Sequence, residues 1–543
     1  MPGTILENLS GRKLSVLVAI LLASQLTCFL VGLISPSPAT SQGILSTVCV
    51  DEDPSADSID RWFTRPCSRE VQLNQEKATV GLDAKNLVFV VQMPRHDTHD
   101  FSRWQQNLVG VIQVDMVYQS DQKLDPIIEL TLDARLAYSD KTSNGGRTPW
   151  KYYAQSEEKR YMDCSFEDMT IKDKNGYPYN CSIIPLFELG AISHDYYLLN
   201  LRLPYNNTAS KNTGLSKIDD IYVHVIHMNG GFTKIWVSLK TFFFPIIIAI
   251  MVWFWNRVHM LNRTPALLEC MLMGLGGTLA FLNLPVEYLT LLFDMPYMLL
   301  LSDIRQGIFY AMLLSFWLVF AGEHMLIQDN GERNTLKMYW KHLSTIVIGC
   351  LCLLFFDLCE RGVQLVNPFY SIWVTPVGTN LALSFIILAG ISASLYFIFL
   401  CYMIWRVFKN ISIKRSILPS MSQARRLHYE GIIYRFNFLM LVTVICAALT
   451  VISFILSQVA EGQNKWDENM DLELTSALHT GVYGMWNVYI CAMLILYAPS
   501  HKQWPADPIC ADGEEVEFSR LPTESSANEI SSLTSFATKA SIE

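Results

Sequence analysis

The sequence has 543 residues, of which 51% are hydrophobic and only 17% are charged. Soluble domains average about 25% charged residues, so this composition and a mean hydropathy of +0.25 indicate an integral membrane protein. The net charge is −9, and the acids lie mostly in residues 51–230 and in the C-terminal tail. Because no basic face is implied, no nucleic-acid partner is expected.

Eight apolar runs approach the ~20 residues that a helix needs to cross a ~30 Å hydrocarbon core. They occupy residues 14–34, 235–256, 266–284, 303–321, 343–359, 380–405, 436–457 and 475–497. The first run follows Arg12 and Lys13 and has the alternative of a cleaved signal peptide. Its apolar stretch exceeds the ~7–15 residues of a signal-peptide core, which favours a retained transmembrane helix.

Lys and Arg concentrate in alternate loops, as expected for the cytoplasmic side of a membrane. Twelve follow the second, fourth and sixth runs, against two in the loops between them. We therefore predict eight spans with a cytoplasmic N-terminus at 1–13 and a cytoplasmic tail at 498–543. Residues 35–234 form a luminal domain, and residues 235–497 form a seven-helix core. The tail is rich in Ser, Thr and Glu, which predicts disorder.

The luminal domain shows a period of two rather than a helical period. Apolar and polar residues alternate at 112–118 and 128–136, similar patterns occur at 197–203 and 221–228, and an apolar run lies at 87–93. This alternation is typical of half-buried antiparallel strands. The sequence therefore predicts an all-β domain, either a sandwich or a small barrel, inserted between the first and second membrane helices.

Four cysteines in the predicted luminal domain suggest disulfide bonds, since an oxidising compartment favours them. They are Cys49, Cys67, Cys164 and Cys181. Three pairings are possible; the sequential one, 49 with 67 and 164 with 181, closes the shortest loops and is expected.

Two further polar features of this domain are candidate sites. The sequons at Asn180 and Asn206 are candidate glycosylation sites. The stretch with His96, His99 and Asp100 resembles part of a metal cluster. Nothing nearby clearly completes a set of four ligands, so neither a metal nor a cofactor is expected.

The fourth apolar run carries polar residues in its first turn, at the predicted luminal boundary. These are Asp303, Arg305 and Gln306. The fifth run ends in FFDLCERG, at the same predicted level, and offers acid partners for Arg305. Intramembrane ionisable residues often line a cavity, although charges at helix ends also reach water without any function.

We interpret this region as the polar mouth of a lipid-sized slot between the fourth and fifth spans. Ordinary helix packing is the alternative for each apolar member. The candidate residues are Asp303, Arg305, Gln306, Phe309, Tyr310, Met312, Leu313, Phe316, Asp357, Glu360 and Arg361.

Five long segments of the chain resemble the Wntless family, and the similarity extends from the first apolar run to Lys502. They are NGGFTKIW (229–236), DIRQGIFYAMLLSFW (303–317), CERGVQLVNPFYSIW (359–373), RRLHYEG (425–431) and GMWNVYICAMLILYAPSHK (484–502). An invertebrate member is expected.

The resemblance implies a helical core similar to G-protein-coupled receptors and a luminal β-sandwich-like domain. It also implies a carrier, not an enzyme, that binds palmitoleoylated Wnt proteins and escorts them through the secretory pathway. The acyl chain would enter a cavity in the bundle while the luminal domain holds the protein part. Release by a change of pH would have His194, His224 and His227 as candidate sensors.

Tyr429 and Ile432 fit the Tyr-x-x-apolar pattern and match the position that the family uses for endocytosis. The resemblance therefore implies clathrin adaptors, retromer-type sorting machinery and membrane lipids as partners. It also implies residence in the endoplasmic reticulum, Golgi, endosomes and plasma membrane.

Three other classes of protein are alternatives for this sequence. A signalling receptor with a seven-helix core is the main alternative function. An acyltransferase would need a catalytic constellation around His324 or His479, and none is evident. A transporter would often show internal repeats, which are not seen.

Overall fold

The computed structural model describes most of the chain up to residue 500. The described residues are 5–8, 11–53, 61–71, 86–95, 99–118, 124, 127–144, 146–165, 176–205, 211–212, 215, 217–261, 263–326, 336–417, 438–449, 452 and 473–500.

Eight helices lie at the predicted apolar runs within the described residues. They are α1 (Gly11–Ile34), α2 (Gly230–His259), α3 (Leu267–Asn283), α4 (Met298–Leu326), α5 (Leu336–Gln364), α6 (Pro376–Ile417), α7 (Phe438–Leu449) and α8 (Glu473–Leu496). A short helical turn, Ile5–Asn8, precedes α1, and a 3₁₀ helix, Val286–Leu291, connects α3 to α4. Within the described part of the chain, six segments are long and apolar enough to cross a membrane, namely those in α1, α2, α4, α5 and α6 and the stretch Leu267–Leu291, in which the 3₁₀ helix continues α3. The multi-pass helical architecture is confirmed, while the number of eight spans stays a prediction.

Helix α2 begins at Gly230, before the apolar run itself, because a polar cap starts it. The Asn229 side chain accepts a hydrogen bond of 2.8 Å from the Gly231 amide, which satisfies one of the unpaired amides of the first turn. Residues 230–234 therefore extend the membrane helix on the side of the β-domain. Arg257 and His259 lie in its last turn, where cations favour the helix dipole.

The first and last helices pack closely through small residues. An added Cβ on Gly32 of α1 would overlap the side chain of Thr480 on α8, and one on Gly484 of α8 would overlap Cys28. Small residues of this kind let two membrane helices approach at backbone distance. Helix α1 is thus packed against the rest of the bundle.

The region between α1 and α2 is a two-sheet β-domain, as the alternating sequence pattern predicts. Its strands are β1 (Ala39–Leu45), β2 (Thr47–Val50), β3 (Glu70–Val71), β4 (Leu87–Met93), β5 (Leu108–Val117), β6 (Ile127–Ser139), β7 (Lys151–Ser165), β8 (Asn180–Cys181), β9 (Ile184–Leu189), β10 (Tyr196–Arg202) and β11 (Lys217–Met228). Among the described strands, one sheet has the order β1-β11-β5-β9 and the other β3-β2-β4-β10-β6-β7-β8.

Alternation in sequence becomes alternation in burial. Along β5, Leu108, Ile112, Val114 and Met116 are buried while their neighbours are partly exposed. Successive side chains of a strand point to opposite faces, so one face of this sheet meets the apolar face of the other. The domain core lies between the two sheets.

Two disulfide bonds connect the four cysteines of the β-domain in the sequential pairing. Cys49 is bonded to Cys67, and Cys164 to Cys181. The second bond joins β7 to β8, which lie next to each other in the larger sheet. Both bonds therefore constrain short segments at the edges of this sheet.

Candidate functional site

Arg305 lies about two turns inside α4, because the helix begins at Met298, before the apolar run. Its side chain is 1% exposed. Its guanidinium faces the end of α3: Nε donates to the Phe281 carbonyl at 3.0 Å, and Nη2 donates to the Leu282 carbonyl at 2.5 Å and also to the Leu284 carbonyl. The last carbonyls of a helix have no partner within the helix. Arg305 therefore caps the C-terminus of α3, where a cation also favours the helix dipole.

Two more charged side chains are buried beside this cap. Glu287 of the 3₁₀ helix forms an ion pair with Lys240 of α2, and its Oε1 lies 3.6 Å from Arg305 Nη1. Both Lys240 and Glu287 are 3% exposed. A buried carboxylate between two cations is costly to desolvate unless all three are held together. We call Lys240, Glu287 and Arg305 the buried charge cluster.

An amide and phenol network lies next to the buried charge cluster and links α3 to α8. Asn283 donates to Asn487 Oδ1 at 2.5 Å, Tyr483 donates to Asn283 Oδ1 at 2.6 Å, and Asn487 donates to the Tyr483 carbonyl at 2.9 Å. Each buried amide thus has a partner, as low-dielectric surroundings require. Asn283 is the C-terminal residue of α3, so the network fixes the same helix end that Arg305 caps.

The predicted pairing of Arg305 with the acids of α5 is wrong. Arg305 pairs with Glu287, whereas Asp303 forms an ion pair of 3.0 Å with Arg361 Nε of α5. The reason is helical geometry: residues two apart in a helix point to different faces. Asp303 therefore faces α5 while Arg305 faces α3.

Arg361 also connects the bundle to the β-domain. Its Nη1 lies 3.0 Å from Glu188 Oε1 on β9. One guanidinium thus joins α4, α5 and the β-domain, as a planar group with several donors can. This three-part link, Asp303–Arg361–Glu188, lies at the boundary that the sequence predicts as the polar mouth.

The other polar candidates have more local roles or are exposed. Glu360 accepts hydrogen bonds from the Ile372 amide at 2.9 Å and from Gln364 at 3.3 Å, which braces the turn after α5. Asp357 is partly exposed and lies one helical turn before Arg361. Gln306 is exposed on α4.

The loop between α5 and α6 inserts into the β-domain. Phe369 is fully buried and packs against Phe187, with ring centroids 6.1 Å apart. Its carbonyl accepts a hydrogen bond from Arg160 of β7, and the Pro368 carbonyl accepts one of 2.9 Å from the Glu188 amide. Burial lowers the pKa of the Arg160 guanidinium, an effect that Glu158 opposes. The bundle thus supplies part of the β-domain core.

The apolar candidates of α4 lie inside the helix bundle. Phe309, Leu313 and Phe316 are buried, and Phe309 packs against Trp486 of α8 with ring centroids 6.3 Å apart. Met312 contacts the backbone of α3, because an added Cβ on Gly274 would meet its Cε at 2.5 Å. Tyr310 is partly exposed. In this structure these side chains pack against one another and their neighbours.

A shallow, open cleft lies where the β-domain meets α4 and α5. Tyr153, Glu188, Leu189 and Gly190 line it from the β-domain. Pro296, Leu299, Leu300, Arg361, Gln364 and Leu365 line it from the bundle. The lining is therefore mixed, with an apolar wall of Leu299, Leu300 and Leu365 beside the polar side chains of Glu188, Arg361 and Gln364. Arg361, which was predicted at the mouth, lies in this lining.

The remaining candidates fall in several places. Asn180 is exposed on β8, next to the disulfide-bonded Cys181, and is accessible to modification. Asn206, Tyr429, Ile432 and His96 lie outside the described residues. Within the described part of the chain, no group of three or more metal-ligating side chains comes together.

Sequence reasoning missed several residues that hold this region together. Lys240 carried a usable signal, since it is the only charged residue in the apolar run 235–256 and intramembrane charges are usually paired. Glu287 follows Pro285 in a short loop and carried a weaker signal. Glu188, Arg160 and Phe369 carried none, because contacts between distant segments leave no local pattern.

Comparisons with known proteins agree with this architecture. The family model described as "Wntless, GOLD domain" matches residues 47–228, and the one described as "Wntless-like, transmembrane domain" matches residues 229–501. The chain is 56% identical to "Protein wntless" of Drosophila mojavensis, 54% to that of Drosophila virilis and 55% to that of Drosophila ananassae. In each comparison the similarity covers 100% of both chains. The chain belongs to the Wntless family.

Proposed function

We propose that this protein is a carrier that binds palmitoleoylated Wnt proteins and escorts them through the secretory pathway to the cell surface. Membership in the Wntless family supports a role in Wnt secretion. The observation that carries the finer proposal is the cleft between the β-domain and helices α4 and α5, where polar side chains lie beside an apolar wall of three leucines.

This mixed lining suits the two parts of an acylated protein. Glu188 and Tyr153 can hydrogen-bond a peptide segment, while Leu299, Leu300 and Leu365 continue toward the apolar bundle. Burial of an acyl chain is worth ~0.8 kcal/mol per CH₂ group. A sixteen-carbon chain therefore gains on the order of 10 kcal/mol when it leaves water, enough to dominate the binding of its carrier.

The predicted slot below the cleft is closed by side chains in this structure. Phe309, Leu313 and Phe316 are buried against their neighbours. Because protein interiors are close-packed, an acyl chain can enter only if α4 moves relative to α5 or these side chains change rotamer. We propose that cargo binding opens this space, with the Asp303–Arg361 ion pair as the contact that yields between the two helices.

After delivery, the carrier would return to earlier compartments. We propose that Tyr429 and Ile432 are read by clathrin adaptors at the plasma membrane and that retromer-type machinery completes the retrograde route. This assignment requires the loop after α6 and both termini to be cytoplasmic, as the distribution of Lys and Arg predicts. The carrier would then cycle through endoplasmic reticulum, Golgi, plasma membrane and endosomes.

Co-purification tests the lipid-dependent part of the proposal. The full-length protein should recover wild-type Wnt and recover far less of a Wnt whose acylated serine is replaced by Ala. Within the carrier, Leu365→Glu should reduce recovery of wild-type Wnt because it places a charge in the apolar wall of the cleft. The neighbouring Val366→Glu is the matched control, since Val366 is exposed and does not line the cleft. Equal recovery of acylated and unacylated Wnt would contradict the proposal.

A further inference from the structure

The 3₁₀ helix between α3 and α4 has an inverted amphipathic pattern. Glu287 and Thr290 are 3% and 8% exposed, whereas Leu289 and Leu292, the residue that follows the helix, are 44% and 75% exposed. A 3₁₀ helix has three residues per turn, so each of these pairs lies on one face. The polar face is buried against the protein and the apolar face points outward, the reverse of a helix in water.

The length of α3 places this segment at the membrane boundary. Helix α3 has 17 residues, which at 1.5 Å per residue span about 25 Å, less than the ~30 Å hydrocarbon core. The chain that follows must complete the crossing. Backbone outside a regular helix is tolerated at that depth only where its polar groups find partners in the protein. Arg305 supplies them to Leu282 and Leu284, and Thr290 donates to the Glu287 carbonyl at 2.7 Å.

Contacts with the β-domain identify the side of the membrane. The Tyr288 ring meets the Trp104 ring edge-on, with centroids 6.3 Å apart. Asp294, just beyond the segment, forms a 2.9 Å ion pair with Arg103. Tyr and Trp are enriched at membrane–water interfaces. The segment therefore lies in the leaflet that faces the β-domain, with its aromatic and charged partners above it.

We propose that residues 284–293 form an interfacial membrane anchor that inserts Leu289, Leu292 and Phe293 into the acyl region of this leaflet. Lipid is favoured over a second protein because Leu289 belongs to the apolar stretch Leu267–Leu291, which is long and apolar enough to cross a membrane and also exposes Phe281 and Leu284. The buried charge cluster holds the opposite face. The anchor thereby sets the depth at which the start of α4 lies in the membrane.

Site-specific photo-crosslinking in lipid nanodiscs tests this anchor without cargo. The photoreactive residue p-benzoylphenylalanine replaces Leu292 in the full-length protein. The same residue at Val252, exposed in the apolar run of α2, is the lipid control, and at Tyr161, exposed on β7, it is the aqueous control. After irradiation, mass spectrometry measures the yield of phospholipid adducts at each position.

The anchor requires adducts at position 292 at a yield comparable with position 252 and well above position 161. A yield at position 292 no higher than at position 161 would overturn the proposal. Predominant crosslinking to a second copy of the chain would also overturn it, since the patch would then be a contact between protomers. Gel-filtration elution profiles of all three proteins control for correct folding.

Discussion

Replacement of Arg305 by Ala should destabilise the whole bundle rather than act on cargo alone. The side chain donates to three carbonyl oxygens at the end of α3 and lies 3.6 Å from Glu287, with 1% of its surface exposed. Its removal leaves those acceptors without a charged donor and takes away one of the two cations that neighbour Glu287 in the buried charge cluster. Arg361→Ala is the matched comparison, since this Arg is also at the mouth but is 30% exposed.

The expected magnitudes differ clearly between the two variants. A buried acceptor left without its donor costs about 1–3 kcal/mol, and breaking a buried ion pair costs about 3–5 kcal/mol. These two figures describe overlapping losses, so Arg305→Ala should lower the free energy of unfolding by roughly 3–5 kcal/mol. The two partly exposed ion pairs of Arg361 are each worth about 0–1 kcal/mol.

The assay compares abundance, thermal stability and Wnt secretion for each variant in the same cells. Heated samples are analysed by fluorescence-detected gel filtration. For Arg305→Ala, secretion should fall in proportion to abundance. The thermal stability of Arg305→Lys should lie between those of Arg305→Ala and the wild type, because an ammonium cannot donate to three carbonyls in one plane. For Arg361→Ala, abundance should be nearly normal. If Arg305→Ala proved as abundant and heat-resistant as Arg361→Ala, the capping role would be refuted.

Three further predictions concern other buried side chains of the bundle and the β-domain. Glu287→Gln should lower the unfolding temperature more than Lys240→Met, because the first leaves two buried cations and the second leaves a neutral pair; the opposite order would contradict the charge balance. Phe369→Ala should loosen the β-domain from the bundle at a cost of about 3–5 kcal/mol, seen as faster limited proteolysis, whereas exposed Val366→Ala should have no effect. Burial lowers the pKa of His227, so the unfolded chain binds its proton more readily; stability from this group is full above the unfolded pKa of ~6.5 and falls as the pH drops below it. His227→Gln should therefore flatten the decline in unfolding temperature between pH 7 and pH 5, and an unchanged slope would exclude this residue as an acid sensor.

Periodicity and run length were enough to predict the architecture. Each predicted strand corresponds to one in the structure, because a face buried in a sandwich forces alternation, as in β5 and β6. Helices α1 to α6 coincide with apolar runs, since lipid requires them. Helix ends were less accurate: α2 starts at Gly230 because the cap at Asn229, not hydropathy, determines its first turn.

The role of the candidate residues as a cargo site stays a prediction, but the structure shows that the charged ones have other partners than the sequence suggested. Asp303, Arg305 and Arg361 do lie together near the predicted mouth, as loop charges and helix periodicity suggest. Arg305 nevertheless contacts carbonyl groups, which every residue carries, so no sequence pattern identifies them as its acceptors. Phe369 looks like an ordinary loop aromatic, because its burial depends on a sheet that is formed almost 200 residues earlier.

The insertion of Phe369 has a mechanical consequence for the proposed carrier function. The two chain connections of the β-domain lie side by side, since Ala39 at its start pairs with Met228 at its end. A domain attached only there could rotate about that single connection. The buried loop at Phe369 adds another attachment to the Arg361–Glu188 and Arg103–Asp294 ion pairs, and together they oppose that rotation. We therefore expect the cleft to open by movement of the helices relative to one another rather than by rotation of the β-domain.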